Sequence, residues 1–130
     1  MSDYSAAIGR KGWTVLHEAV FGYHQGDYAM TLRKGDVFAF TVVGYGSCSG
    51  CDWYEADVPW QEGPEREAAI EVIAAELERT LDVTGSVTQI AAFIENDGRK
   101  ALDWYRNEST FDDEIIALMR SLPTEEDDKK

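Results

Sequence analysis

Residues 27–43, DYAMTLRKGDVFAFTVV, contain two runs with the period-two alternation of β-strands, separated by the short linker KGD. In the first run, Asp27–Arg33, the large apolar side chains recur at every second residue, which predicts a strand with one buried and one solvent-facing side. The second run, Val37–Val43, is apolar on both faces, which predicts a strand in the centre of its sheet. Two such runs around a glycine-containing linker are typical of a β-hairpin. We therefore expect the fold to be organised around an antiparallel sheet.

Further elements extend this pattern in both directions along the chain. Trp13–Val20 is predicted as an earlier strand, which reaches the hairpin through a loop with a glycine at each end. After Pro59 the apolar period becomes helical, and Pro64–Asp82 combines an apolar stripe with a proline and acidic residues at its start. Ser86–Glu95 fits a helix better than a short strand. Further helices are predicted over Arg99–Arg106 and from Ser109 or Thr110 to the residue before Pro123.

This order of elements predicts an α+β fold, in which an N-terminal antiparallel sheet of three or more strands is covered on one face by C-terminal helices. The length of 130 residues suits one domain, which we place at residues 1–123. Residues 124–130, TEEDDKK, are expected to form a disordered acidic tail.

The charge is unevenly distributed, and the apolar pattern and cysteine content predict a cytoplasmic protein. The formal net charge is −13, and residues 61–130 carry most of it, with 18 acidic and eight basic residues. No stretch is apolar and long enough for a secretory signal or a membrane span, so we expect an intracellular protein without membrane association. Two cysteines cannot form a disulfide framework, which agrees with a reducing compartment.

The segment 44–57, GYGSCSGCDWYEAD, is unusual because it places Cys48 and Cys51 among glycines and aromatic residues. One interpretation is a tight turn in which the thiols act as small apolar groups. A second is a redox dithiol, although the acids beside it should raise the thiol pKa. A third is a zinc site completed by His17 and His24, although no second Cys-x-x-Cys pair is present. We favour the turn, which requires no cofactor.

The Tyr-Gly-Ser-Cys-Ser-Gly-Cys-Asp part of this segment resembles a motif of uncharacterised small proteins of phages and actinobacteria. The resemblance covers the segment and, loosely, the hairpin before it. It implies a phage-type protein. It assigns no catalytic role to Cys48, Cys51 or Asp52, because those proteins bring no known activity.

The acidic helical half suggests recognition of a basic protein. Clustered Lys and Arg residues are absent, so direct nucleic-acid binding is not expected. Carboxylates such as Glu71, Glu76 and Glu78 can instead face the basic surface of a DNA-binding protein, as DNA mimics do. The alternative is that these acids only keep the protein soluble.

Aromatic residues between the sheet and the first long helix are candidates for a binding surface. These candidates, with one neighbouring acid, are Tyr45, Trp53, Tyr54, Glu55 and Trp60. A loop that merely covers the sheet is the alternative. Trp13 and Trp104 are expected in the core or at its edge.

Together these features predict an accessory protein that binds and modulates a host protein, by DNA mimicry or as an anti-defence inhibitor. The common phosphate-loop, serine-nucleophile and zinc-protease motifs are absent, so a non-catalytic role is expected. A homodimer is compatible with the sequence. The alternative function is a thiol-redox or zinc-binding protein centred on Cys48 and Cys51.

Overall fold

The computed structural model of the chain describes residues 2–46 and 53–124. Its strands are β1 (Thr14–Gly22), β2 (Gly26–Lys34), β3 (Val37–Tyr45) and β4 (Val83–Gly85). Its α-helices are α1 (Asp3–Gly9), α2 (Trp53–Asp57), α3 (Pro64–Arg79), α4 (Val87–Phe93), α5 (Arg99–Ala101) and α6 (Phe111–Arg120). A π-helical turn, Ile94–Gly98, precedes α5, and a 3₁₀ turn, Asp103–Tyr105, follows it.

The strands form one antiparallel sheet in the order β1-β2-β3-β4. The β2–β3 hairpin is paired from Gly26 opposite Tyr45 to Lys34 opposite Val37. The pairing of β1 with β2 shifts by one residue at Leu16, as in a β-bulge. The predicted α+β fold, with an antiparallel sheet in the N-terminal half and helices in the C-terminal half, is confirmed.

Helices cover both faces of the sheet, so the expectation that they cover one face was wrong. One layer, the α3 cluster, consists of Tyr4, Ala7, Ile8, Trp13, Met30, Leu32, Ala39, Val58, Ile70, Ile73, Ala74 and Leu77. The other layer, the α6 cluster, consists of Ala19, Phe21, Ala29, Phe38, Phe40, Ile90, Ile94, Leu102, Phe111, Ile115, Leu118 and Leu122.

The face of the sheet that was expected to be open to solvent includes one side of β2. Its Ala29 and Thr31 were expected to face solvent, but both are buried beneath the C-terminal helices. Thr31 remains satisfied there because its hydroxyl lies 2.5 Å from the Ser121 hydroxyl. Small side chains at these positions let α6 approach the sheet closely, and composition alone does not distinguish this packing from a solvated face.

Helix α1 was not predicted from the sequence. Ser2 caps it by accepting from the backbone N–H of Ser5, and its buried side chains include Tyr4 and Ile8. Seven residues are too few to show a convincing helical period. The helix is stabilised mainly by its packing on α3.

The predicted helices are present with altered ends. Helix α3 begins at Pro64 as expected but ends at Arg79, and the short strand β4, which was not predicted, follows it. Ser86 and Gln89 form a reciprocal capping box at α4, which confirms a helix there. Arg99–Arg106 is divided between α5 and the 3₁₀ turn.

The last predicted helix is present. Helix α6 begins after Thr110, as expected, although the Thr110 side chain makes no capping bond.

The two tryptophans that were expected in the core or at its edge differ. Trp13 is buried, with 8% of its surface exposed, whereas Trp104 is 88% exposed, so the prediction for Trp104 was wrong. Of the predicted tail, only Thr124 lies within the described residues.

Candidate functional site

An exposed tryptophan stands beside a cavity in the connection between α2 and α3. Trp60 is 87% exposed, although Val58, two residues earlier, is buried in the α3 cluster.

The cavity beside Trp60 has a volume of about 430 Å³. We call it the Trp60 cavity, and its lining residues are Asp3, Tyr54, Glu55, Val58, Trp60 and Arg66.

Polar contacts hold the walls of the Trp60 cavity in place. The Arg66 guanidinium donates to the carbonyl oxygen of Pro59 at 2.8 Å, which fixes the chain immediately before Trp60. The backbone N–H of Tyr54 donates to the Tyr4 hydroxyl at 2.9 Å, which ties α2 to α1. The cavity is therefore built from three separate parts of the chain, and its exposed indole stands on a fixed support.

A row of aromatic rings connects the other candidate residues to this cavity. Tyr45 stacks on Tyr28 with ring centroids 4.6 Å apart, and Tyr28 contacts Tyr4 at 6.1 Å. Tyr4 in turn contacts Trp53 and Tyr54 at 6.2 and 6.0 Å. The structure thus brings Tyr45, Trp53 and Tyr54 together through two rings that the sequence analysis missed. Of these two rings, only Tyr28 had a signal in the sequence, namely its position two residues before Met30 in the period-two pattern.

Trp53 and Tyr54 are half-buried and pack against the α3 cluster. The Trp53 indole donates to the Asp57 carboxylate at 2.9 Å, within α2. These two aromatics therefore cover part of the core, as one of the two interpretations expected, while Trp60 remains open to solvent.

Tyr45 makes structural contacts at the end of the sheet. Its hydroxyl donates to the carbonyl oxygen of Phe21 at 3.2 Å, and the carbonyl oxygen of Tyr23 lies 3.4 Å from the same hydroxyl. Burial, followed by the nearby charges of Glu108 and Asp27, raises the pKa of Tyr45 above its usual value. The neutral phenol is thus retained as a hydrogen-bond donor to the β1–β2 hairpin.

The three carboxylates proposed for partner recognition all contact other parts of the chain. Glu71 accepts from Arg10 at 3.2 Å and from Lys11 at 3.4 Å. These hydrogen bonds hold the pKa of Glu71 below its usual value. The charge of Glu71 is therefore engaged by Arg10 and Lys11, the two residues that follow α1.

Glu76 and Glu78 are likewise engaged. Glu76 pairs with Arg79 one turn later on α3, and this hydrogen bond lowers the pKa of Glu76. Glu78 accepts from the Trp13 indole at 2.7 Å and from Lys34 at 3.2 Å. The carboxylate of Glu78 therefore joins α3 to the sheet.

Other acids surround the Trp60 cavity. Asp3 and Glu55 line it, and Arg66 is its one basic lining residue. A neighbouring cavity of about 300 Å³ is lined in part by Glu62 and Glu65 and shares Arg66. Carboxylates therefore outnumber cations around the exposed indole.

The proposed metal or redox residues are only partly described. Cys48 and Cys51 lie outside the described residues. His17 is in β1, with its Nε2 atom 3.5 Å from a Glu114 oxygen, and His24 is exposed in the β1–β2 loop. Within residues 2–46 and 53–124, no three His, Cys, Asp or Glu residues are grouped so that they can hold a metal ion.

Comparison of the chain with protein-family models, curated proteins and solved structures finds no match. Among the described residues, no helix has both the length and the apolar character needed to cross a membrane.

Proposed function

We propose that the protein is a small accessory protein of phage type that binds a host protein through the Trp60 cavity. The observation that carries this proposal is the combination of an 87% exposed indole with a cavity edged by carboxylates. Exposed tryptophans on a fixed support are frequent energetic centres of protein interfaces.

The chemistry of the cavity favours a basic segment of the partner. A Lys or Arg side chain can place its cation over the Trp60 ring and its charge near Asp3 and Glu55. The net charge of −13 attracts a basic protein over a longer range and speeds the encounter. The interaction requires no cofactor.

A DNA-binding protein fits this description, because its nucleic-acid site is basic. Occupation of that site by an acidic protein would exclude the nucleic acid, which is how the bound protein would inhibit or modulate its host target. The proposed mode is thus DNA mimicry at a protein surface, with Trp60 adding an apolar contact.

Affinity capture from a host lysate tests the proposal. Trp60→Ala should reduce recovery of the specific partner at least about tenfold, the loss typical of a tryptophan at an interface centre. Trp104→Ala is the matched control, since Trp104 is equally exposed but lies among the helices on the other face of the sheet. Equal recovery by both variants would contradict the proposed role of the Trp60 cavity.

A further inference from the structure

The outer surface of α6 has a cavity that the proposed function does not use. Helix α6 packs over β1, the first strand in the order of the described sheet. The cavity has a volume of about 620 Å³. It is lined by His17, Asp113, Ile116, Ala117, Arg120 and Ser121.

Four of these lining residues form a stripe along the helix. Asp113, Ile116, Ala117 and Arg120 have the spacing of neighbours on one helical face. We call them the α6 stripe. It carries an acid at its beginning, apolar side chains in its middle and a base at its end.

The charged ends of the α6 stripe are available for another molecule. Asp113 and Arg120 are both exposed, and within the part of the chain that the structure describes neither side chain has an ion-pair or hydrogen-bond partner. They are seven residues apart, about 10 Å along the helix, which is too far for a direct ion pair. Between them, 38% of the Ile116 surface is exposed.

We propose that the α6 stripe binds the same stripe of a second copy of this chain, with the two helices antiparallel. A two-fold axis near Ile116 and Ala117 places Asp113 opposite the partner's Arg120, and Arg120 opposite the partner's Asp113. The two Ile116 side chains then meet at the centre, where the small Ala117 permits close approach.

Charge complementarity favours a second copy over a basic or acidic partner. The stripe has one negative and one positive group, so its local charge is balanced although the whole chain carries −13. A strongly charged partner would be repelled by one end of the stripe, whereas the antiparallel copy satisfies both ends.

Sedimentation equilibrium of the full chain, from micromolar to millimolar concentration, tests this proposal. The unaltered protein should associate reversibly to a dimer. Asp113→Arg and Arg120→Asp should each weaken association about tenfold or more, because each change turns two symmetric attractions into repulsions. The double variant Asp113→Arg/Arg120→Asp should recover most of the lost affinity, because the charges are exchanged and the pairs are restored.

The double variant also controls for effects within the helix. Both single changes oppose the helix dipole, and the double variant contains both of these penalties, so its recovery cannot arise from helix stability. Asp97→Arg, on the π-helical turn, makes the same charge change as Asp113→Arg outside the stripe and should leave dimerisation unchanged. A monomer at every concentration, or a double variant as weak as the single variants, would overturn the proposal.

Discussion

Glu78 illustrates how one hydrogen bond changes the interpretation of an acidic residue. In the sequence it belongs to an acidic helical surface, but in the structure its carboxylate accepts from the buried Trp13 indole. That bond, and secondly the one from Lys34, hold the pKa of Glu78 below its usual 4.5. Charge counting could not detect this role, because the partners lie 65 and 44 residues away.

The lowered pKa of Glu78 predicts how stability depends on pH. The ionised carboxylate is favoured in the folded state, so its stabilisation is present above pH 4.5 and is lost as pH falls through the folded pKa. Glu78→Gln should cost about 1 kcal/mol or less at pH 7, since the partly exposed pair is screened by solvent. The variant should also lose less stability than the unaltered protein on acidification.

Urea unfolding between pH 3 and pH 7 measures this difference. Glu62→Gln is the control, because Glu62 is exposed at the start of the α3 region and is far from Trp13 in the chain. An acid dependence that is identical in all three proteins would contradict the role assigned to Glu78.

Gly26 is required where the β1–β2 hairpin closes. A Cβ atom there would lie 1.8 Å from the carbonyl oxygen of Phe21, which is backbone and cannot rotate away. Gly26→Ala should therefore destabilise the fold by about 2–4 kcal/mol. Gly9→Ala, at the end of α1 in open space, should instead be neutral or stabilise by about 0.5–1 kcal/mol. Thermal unfolding measures both variants. The transition temperature should fall for Gly26→Ala and should be unchanged or higher for Gly9→Ala. Equal destabilisation of the two variants would contradict the close approach at Gly26.

At the scale of elements, the sequence predicted best those segments whose pattern is long. The three long strands and α3 each extend over nine or more residues, and their apolar periods identified them within a few residues of their ends. Helix α1 and strand β4 were missed because seven and three residues are too short for a period. Their structure depends on packing against distant segments.

Helix α1 provides a direct test of that dependence. Ile8 is completely buried in the α3 cluster, so Ile8→Ala should cost about 2–4 kcal/mol. Val72→Ala, on the exposed side of α3 with 67% of the valine surface exposed, should cost less than about 0.5 kcal/mol. Chemical denaturation of both variants measures the difference. A small effect at Ile8 would mean that α1 contributes little to the fold.

At the scale of the whole molecule, the candidate site could be predicted only in part. Trp60 and Glu55 were identified because aromatic and acidic residues in an irregular segment are recognisable in a sequence. Asp3 and Arg66 were missed, because they reach the Trp60 cavity from other elements. No local pattern shows that α1 and α3 supply two of its walls.

The two-sided core also predicts how the molecule unfolds. The α3 cluster and the α6 cluster share β2 and β3, since Met30 and Ala29 are neighbours in one strand but belong to different clusters. Loss of either layer would expose one face of the sheet to water, so both layers should unfold in a single transition. Ile73→Ala in the α3 cluster and Ile115→Ala in the α6 cluster should each lower the one transition temperature, and calorimetric and van't Hoff enthalpies should remain equal. A separate early transition in either variant would show that its helical layer unfolds independently of the sheet.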